Sequence, residues 1–458
     1  MSLYTFPRAS VSPAQDAQGH ISLSFLIGIT ASVESVKETS KRSLIVSYSF
    51  IDKSFDIIGS NLKTLSYMSK SFYHIMTIKN VLLILILIFS SLEPSIAQRE
   101  RARDMGVEIG IFKPGKWNSI TDVNGVTVGH STLISGKNIR TGVTVIKPHG
   151  GDLFEEKVTA AVHVINGFGK AIGFTQVEEL GTIETPIALT NTLNVFLVGD
   201  AIVEYMILNN PKIRSVNPII GETNDGRLND IQGRHVKAKH VFEAIKNAKT
   251  GPVKEGSVGA GTGTRALGFK GGIGTSSRIL PKNLGGFSVG VLVQSNFGNS
   301  LIINGAPVGR ELNKSAFSRN IPYDDDEGSC MIVIATDAPL SNRNLKRIAK
   351  RAIIGIGKVG GFASNGSGDY VIAFSTYKDI SGDNLTSKRT SVRNNAMTGL
   401  FQATVEATEE AIINSIFKAE SVSSSIGKSE ALPINETLKI LKKYNSLNWN
   451  KELHPWKK

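Results

Sequence analysis

The sequence predicts an α/β protein made of layered sheets covered by helices. Three observations carry that prediction. From about Gly106 onward, short β-branched runs alternate with glycine turns, the texture of strands. Between them lie longer segments whose apolar residues recur at helical spacing. The strands are too apolar to face water on both sides, so each sheet needs a cover. Glycine supports the same picture: 45 residues of 458, mostly between Gly106 and Gly399, imply tight turns and close backbone packing.

The elements follow in order. Gly125–Gly129, Gly142–Ile146 and Ala161–Ile165 read as strands. Asn194–Asn209 and Arg234–Lys249 read as helices, and Ser288–Gln294 and Met331–Thr336 as apolar strands. A basic helix is expected over Asn344–Ile353, a strand over Val371–Ser375 and a long amphipathic helix over Met397–Lys418. No repeat of fixed period is present. The segment 421–458 is polar and basic and is expected to be peripheral.

Composition excludes several classes. Apolar residues make up 41% and charged residues 20%, which fits a globular chain. The net charge of +13 is scattered, with no basic helix interleaved with aromatics, so nucleic acid is not an expected partner. The single cysteine, Cys330, allows neither an internal disulfide nor a cysteine-based metal site.

The segment Lys79–Ala97 joins a basic flank to the apolar run Val81–Phe89 and ends in Ser95-Ile96-Ala97. That is the layout of a secretory signal, and the run is too short to span a bilayer. The expectation is that Met76 is the natural start, that 76–97 is a signal peptide and that 1–75 is an extension outside the natural product. The protein would then be periplasmic or secreted, without stable membrane insertion, or cytoplasmic if the segment is instead a buried element.

Two motifs fail. Gly355–Gly360 matches GxGxxG but follows a helix rather than a strand, so it reads as a loop. Gly427-Lys428-Ser429 resembles the end of a phosphate-binding loop, but Val422 stands where glycine is required. The eight histidines show no metal-ligand spacing, and no metal or cofactor is expected.

The informative stretch is Tyr323–Leu340, where four acids and Gly328 lead into Ser329 and a strand. A Gly–Ser peptide at such a junction suits a self-cleaving N-terminal nucleophile. Glycine lets the nucleophile approach its carbonyl, and the freed α-amine, with a pKa of about 7.7–8.0, can act as base without a histidine. Taken alone, Gly328-Ser329 reads more readily as a simple turn after a solvated acidic loop.

From about Gly106 to Ala419 the chain resembles the DmpA-like aminopeptidases, which include the β-peptidyl aminopeptidases. The resemblance rests on Ile120–Val123 with Val126–His130, Gly221–Gly226, Gly256–Arg278, Val291–Gly298, Gly328–Leu340 and Asn365–Thr376. It implies a four-layer α/β/β/α sandwich over residues 98–420, cut into an α chain ending at 328 and a β chain starting at 329. It also implies a homo-oligomer of the two-chain product, acting on small peptides or amino-acid amides and esters with L-, D- or β-residues, without cofactor. By the same resemblance Ser329 is the nucleophile and Asn296 the oxyanion-hole side chain. Ser367 and Asp369 form the hydroxyl–acid pair near the nucleophile, and Glu222 meets the substrate's free amine.

Two features depart from the family pattern. The tyrosine that some relatives carry near the Glu222–Asp230 segment is missing, with Arg227 where an aromatic often stands. Cys330 follows the nucleophile and reads as a buried strand residue. Two other readings compete: an ornithine-acetyltransferase-like acyltransferase, whose nucleophile is threonine, and a catalytically silent binding protein of the same fold.

Overall fold

The computed structural model describes residues 99–314, 328–378, 380–382 and 387–447. All of them belong to the compact unit Ile96–Lys458. The expected signal segment and its upstream extension lie outside the described residues, as does the acidic run Tyr323–Glu327.

Ten strands build the two principal sheets. The first contains β1 (Thr127–Ser135), β2 (Ile139–Lys147), β5 (Ile187–Asn191) and β6 (Ile219–Thr223), in the order β1-β2-β5-β6. The second contains β3 (Val158–Gly167), β4 (Thr182–Ile183), β7 (Gly272–Ile279), β8 (Ser288–Asn296), β9 (Ser329–Thr336) and β10 (Gly368–Ser375). Its order is β4-β3-β10-β9-β8-β7. Only β9 and β10 run parallel within it.

Alternation along the strands sorts the core into three layers. Met331, Val333 and Ala335 of β9 and Ile372 and Phe374 of β10 meet Ile187, Leu189 and Ile219 of the facing sheet. That inter-sheet layer is tight at Gly221, where a Cβ would lie 2.2 Å from Met331 Cε. The opposite faces of β8–β10, bearing Val291, Cys330, Ile332 and Val371, pack under α4 (Asn342–Ala349), α5 (Ala352–Lys358) and α6 (Thr398–Phe417). The outer face of the smaller sheet packs Val143, Val145 and Ala188 against α2 (Val195–Asn209) and α3 (Ala238–Lys246). The result is the α/β/β/α sandwich.

Three expectations need correction. Helix α6 is not amphipathic in its setting: every residue from Ala403 to Phe417 is buried. Its acids are neutralised inside. Arg278 Nε meets Glu406 at 3.0 Å and its Nη2 meets Glu410 at 2.8 Å, while Arg103 adds a third contact to Glu410 at 2.7 Å. Those cations hold the Glu410 carboxyl down at about 2 against the cost of burial. The stretch Gly355–Gly360 is not wholly a loop, since α5 runs through Gly355 and Gly357. A Cβ on Gly355 would sit 2.7 Å from Thr408 Cβ, so the glycine serves close contact between α5 and α6. Finally, the C-terminal tail is not wholly peripheral. Leu432 and, from α7 (Ile434–Lys443), Ile440 and Leu441 join the main core, because the apolar side of α7 supplies a cover that the sheet requires.

Candidate active site

Ser329 is the first residue of β9, and Gly328 precedes the strand. The Gly328 carbonyl oxygen accepts from the Gly368 N–H at 3.1 Å. The Ser329 hydroxyl donates to the same oxygen at 2.6 Å. A Cβ at position 328 would lie 3.1 Å from Phe297 Cα and 3.4 Å from Ser367 Oγ. The junction therefore combines a polarised carbonyl, a hydroxyl against it and a glycine with little room for a side chain.

Asn296 ends β8 and is the register partner of Ser329 across the antiparallel pair, so both side chains leave the same face. Its Oδ1 accepts the Arg265 N–H at 2.9 Å. That bond sets which end of the amide is engaged and leaves the NH₂ as a donor. Both residues are buried.

Ser367 and Asp369 approach from the other side. Asp369 is the register partner of Cys330, and alternation places both on the helix-covered face, away from the Ser329 hydroxyl. Ser367, Asp369, Phe297, Ile356 and Phe362 line a small pocket there. Neither Ser367 Oγ nor Asp369 Oδ2 has a hydrogen-bond partner among the described residues. Burial raises the Asp369 carboxyl to about 6, with the nearby Ser367 hydroxyl and Cys330 N–H partly opposing it. The Asn166 amide holds the loop before them, donating to Ser364 O at 2.9 Å and Ser367 O at 2.5 Å. Burial, then the Asp369 charge, pushes the Cys330 thiol up, so it is an inert strand residue.

Glu222 lies near the end of β6 in the facing sheet and is buried. Its Oε1 accepts the Lys170 N–H at 3.0 Å and its Oε2 accepts the Thr192 hydroxyl. Burial raises its carboxyl despite these bonds. Tyr370 stands beside it: a Cβ on Gly169 would fall 2.8 Å from Glu222 Oε1 and 3.1 Å from the Tyr370 hydroxyl oxygen. Gly169 thus leaves open a gap between an acid and a phenol. The Tyr370 ring packs edge-on to Phe174 and, by alternation, shares the face of Ser329.

Comparison with known proteins gives this geometry its setting. The model of Peptidase family S58 matches residues 118–429. Beta-peptidyl aminopeptidase BapA of Sphingosinicella microcystinivorans is 41% identical over 375 residues, spanning 77% of this chain and 94% of that protein. The solved Burkholderia sp. beta-aminopeptidase is 42% identical with a TM-score of 0.69, over 75% of this chain and 99% of that one. The L-aminopeptidase D-Ala-esterase/amidase of Ochrobactrum anthropi, a prototype for the serine aminopeptidases and a variant of the Ntn hydrolase fold, is 35% identical with a TM-score of 0.68. It is covered over 99% of its length by 76% of this chain.

The chain belongs to peptidase family S58.

It is therefore an enzyme, a hydrolase of the serine aminopeptidase type with an N-terminal nucleophile. The acyltransferase and silent-binder readings give way to that membership. In the S58 chain, the structure brings Gly328, Ser329, Asn296 and Ser367 to one strand end and sets Asp369 behind them. Glu222 enters from the other sheet. Sequence reasoning missed Tyr370, the Gly368 and Arg265 N–H groups and Thr192. Tyr370 had a usable signal, because in a strand beginning at Gly368 it takes the face of that strand's first residue. The backbone donors left none.

Proposed function

We propose that the chain cuts itself between Gly328 and Ser329 and then releases N-terminal residues from peptides, amides or esters. The observation that carries this is the contact of the Ser329 hydroxyl with the Gly328 carbonyl, which Gly368 also holds. In the first step Ser329 Oγ attacks the Gly328 carbonyl carbon and its proton passes to the departing amide nitrogen. Water hydrolyses the resulting ester, leaving a carboxylate on Gly328 and a free α-amine on Ser329.

In turnover that amine takes the hydroxyl proton as Oγ attacks the substrate carbonyl. The Asn296 NH₂ donates to the tetrahedral oxyanion. The α-ammonium gives its proton to the leaving amine, and water then releases the acyl group. Asp369, oriented with Ser367, stabilises the ammonium, and Glu222 holds the substrate's own amine. The activities carried in the relatives' names support L-, D-Ala and β-linked substrates as the range to screen.

The processed unit is a homo-oligomer in this reading. Helix α2 leaves Phe196, Ile207 and Leu208 exposed beside Asp200 and Glu204, an apolar surface with acids within it that a second copy would cover. Export through 76–97 remains part of the proposal, supported by the basic flank, apolar run and small-residue end. N-terminal sequencing of the native product should begin after Ala97.

A denaturing gel with N-terminal sequencing tests the central claim. The wild type should run as two pieces, the smaller being residues 329–458 and starting Ser-Cys-Met-Ile-Val. Ser329→Ala should stay one inactive chain. A fully active single chain would overturn the mechanism.

A further inference from the structure

Lys270 is a charged side chain with no exposed surface. It lies in the short strand Phe269–Lys270, which pairs with Arg265–Ala266 in a hairpin next to β7. Its Nζ donates to the carbonyls of Gly261 at 2.8 Å and Gly271 at 2.7 Å. Those two carbonyls stand at either end of one glycine-rich loop. Within it the Thr264 hydroxyl donates to the same Gly261 oxygen at 3.0 Å, and the Gly271 N–H donates to Thr264 O at 3.2 Å. On its other side the loop is wedged: a Cβ on Gly263 would lie 2.3 Å from Arg140 O and 2.8 Å from Asp225 Cβ. Asp225 is itself buried and accepts the Asn229 amide at 2.9 Å.

The next backbone N–H in this loop after Thr264 is that of Arg265, the one that holds Asn296 Oδ1 at 2.9 Å. Lys270 therefore ties off the segment that aims the Asn296 amide. Burial pushes its ammonium down to about 7, with Asp225 opposing. A group so unfavourably placed is retained at a cost, and its two carbonyl bonds serve only this loop.

We propose that Lys270 is a positioning residue for the oxyanion donor: by clamping Gly261 and Gly271 it fixes the Arg265 N–H and so directs the Asn296 NH₂ toward the nucleophile. The proposal rests on the reading of Asn296 as that donor. A small displacement of a catalytic dipole is enough to slow turnover by about 10²-fold.

The test is a double-mutant cycle in the processed, full-length enzyme on one free-amine p-nitroanilide. Lys270→Met keeps the unbranched stem out to the ε position and removes the donors. It should lower kcat by about 10- to 100-fold with KM held within about threefold, since only a transition-state contact is disturbed. In the Asn296→Ala background the same change should cost almost nothing more, because the two act through one group. Equal losses in both backgrounds, or an unchanged kcat in Lys270→Met, would overturn the proposal, whereas a general structural role gives the additive result. If Lys270→Met fails to accumulate as soluble protein, Thr264→Val decides, having lost one tie to the same Gly261 carbonyl. It should lower kcat severalfold in the wild-type background and not in Asn296→Ala. A silent Asn296→Ala would instead remove the oxyanion reading itself, a result distinct from additivity, and the proposal would fall with it.

Discussion

Asp369 is a buried acid whose burial has a measurable consequence for stability. Its carboxyl is raised from 3.8 to about 6, chiefly because the sheet and helices strip it of water. At about 1.4 kcal/mol per pH unit, that displacement corresponds to about 3 kcal/mol of strain in the charged form. The sign follows from linkage. The native state binds the proton more tightly than the unfolded chain, so the favourable protonated form is fully present below about 4. Stability is then lost as pH rises through about 6. Asp369→Asn removes the charge at similar shape, and should raise stability by about 1–3 kcal/mol at pH 8, with most of the gain gone near pH 4. The measurement is urea unfolding at both pH values, made in a Ser329→Ala background so that no freed α-amine can pair with the acid. Turnover, measured in the otherwise wild-type chain, should collapse in Asp369→Asn. A variant less stable than its parent at pH 8, or a gain independent of pH, would refute the view that this carboxylate is held at a cost for catalysis.

Further outcomes follow from the same geometry. Asn296→Ala should spare folding and lower kcat by about 10²–10³, and an activity within about threefold of wild type would take it out of the oxyanion hole. Glu222→Gln should raise KM for free-amine substrates, and N-acetylated substrates should be refused; equal hydrolysis of both would mark an endo-acting amidase. Exhaustive chelation should leave the rate unchanged, since the proposed base and oxyanion donor are both protein groups; loss restored by zinc or manganese would count against that.

How much of this was legible in the chain depended on range. Short-range pattern placed the strands around Gly142–Ile146, Ser288–Gln294 and Met331–Thr336, because short apolar runs rich in β-branched residues are local properties, and the structure buries these runs almost continuously. It also marked Ser329 at a strand start. Pattern failed for α6, whose Glu406, Glu409 and Glu410 look like a wet face until Arg278 and Lys358 are folded against them. It failed at Gly355, where the glycine answers to a neighbouring helix rather than to a turn. The pairing of Asn296 with Ser329, and the approach of Tyr370 to Glu222 over Gly169, depend on register and sheet stacking, which no local window contains. Resemblance supplied Asn296 and Glu222 for that reason, and it could not supply Tyr370, which occupies a position the expected tyrosine does not.

The position of the proposed cut within the sheet bears on what would happen after it. Cleavage at Gly328 would place β9 and β10 in the small chain and leave β3 and β8 in the large one. The order β4-β3-β10-β9-β8-β7 sets the two small-chain strands in the middle, with β9 paired to β8 on one side and β10 to β3 on the other. Helix α6, also in the small chain, is buried against β7 and β8. Separating the pieces would open two ladders and expose the core layers on both faces of the larger sheet at once. The Gly328–Ser329 bond proposed to break lies just outside this ladder, because Ser329 is the first residue of β9 and already has its strand partners Asn296 and Gly368. Processing should therefore change activity without loosening the fold. Both fragments should co-elute in native buffer and unfold in one transition, at a midpoint close to that of Ser329→Ala. Recovery of a free small chain without denaturant would show that the strands do not interleave in this way.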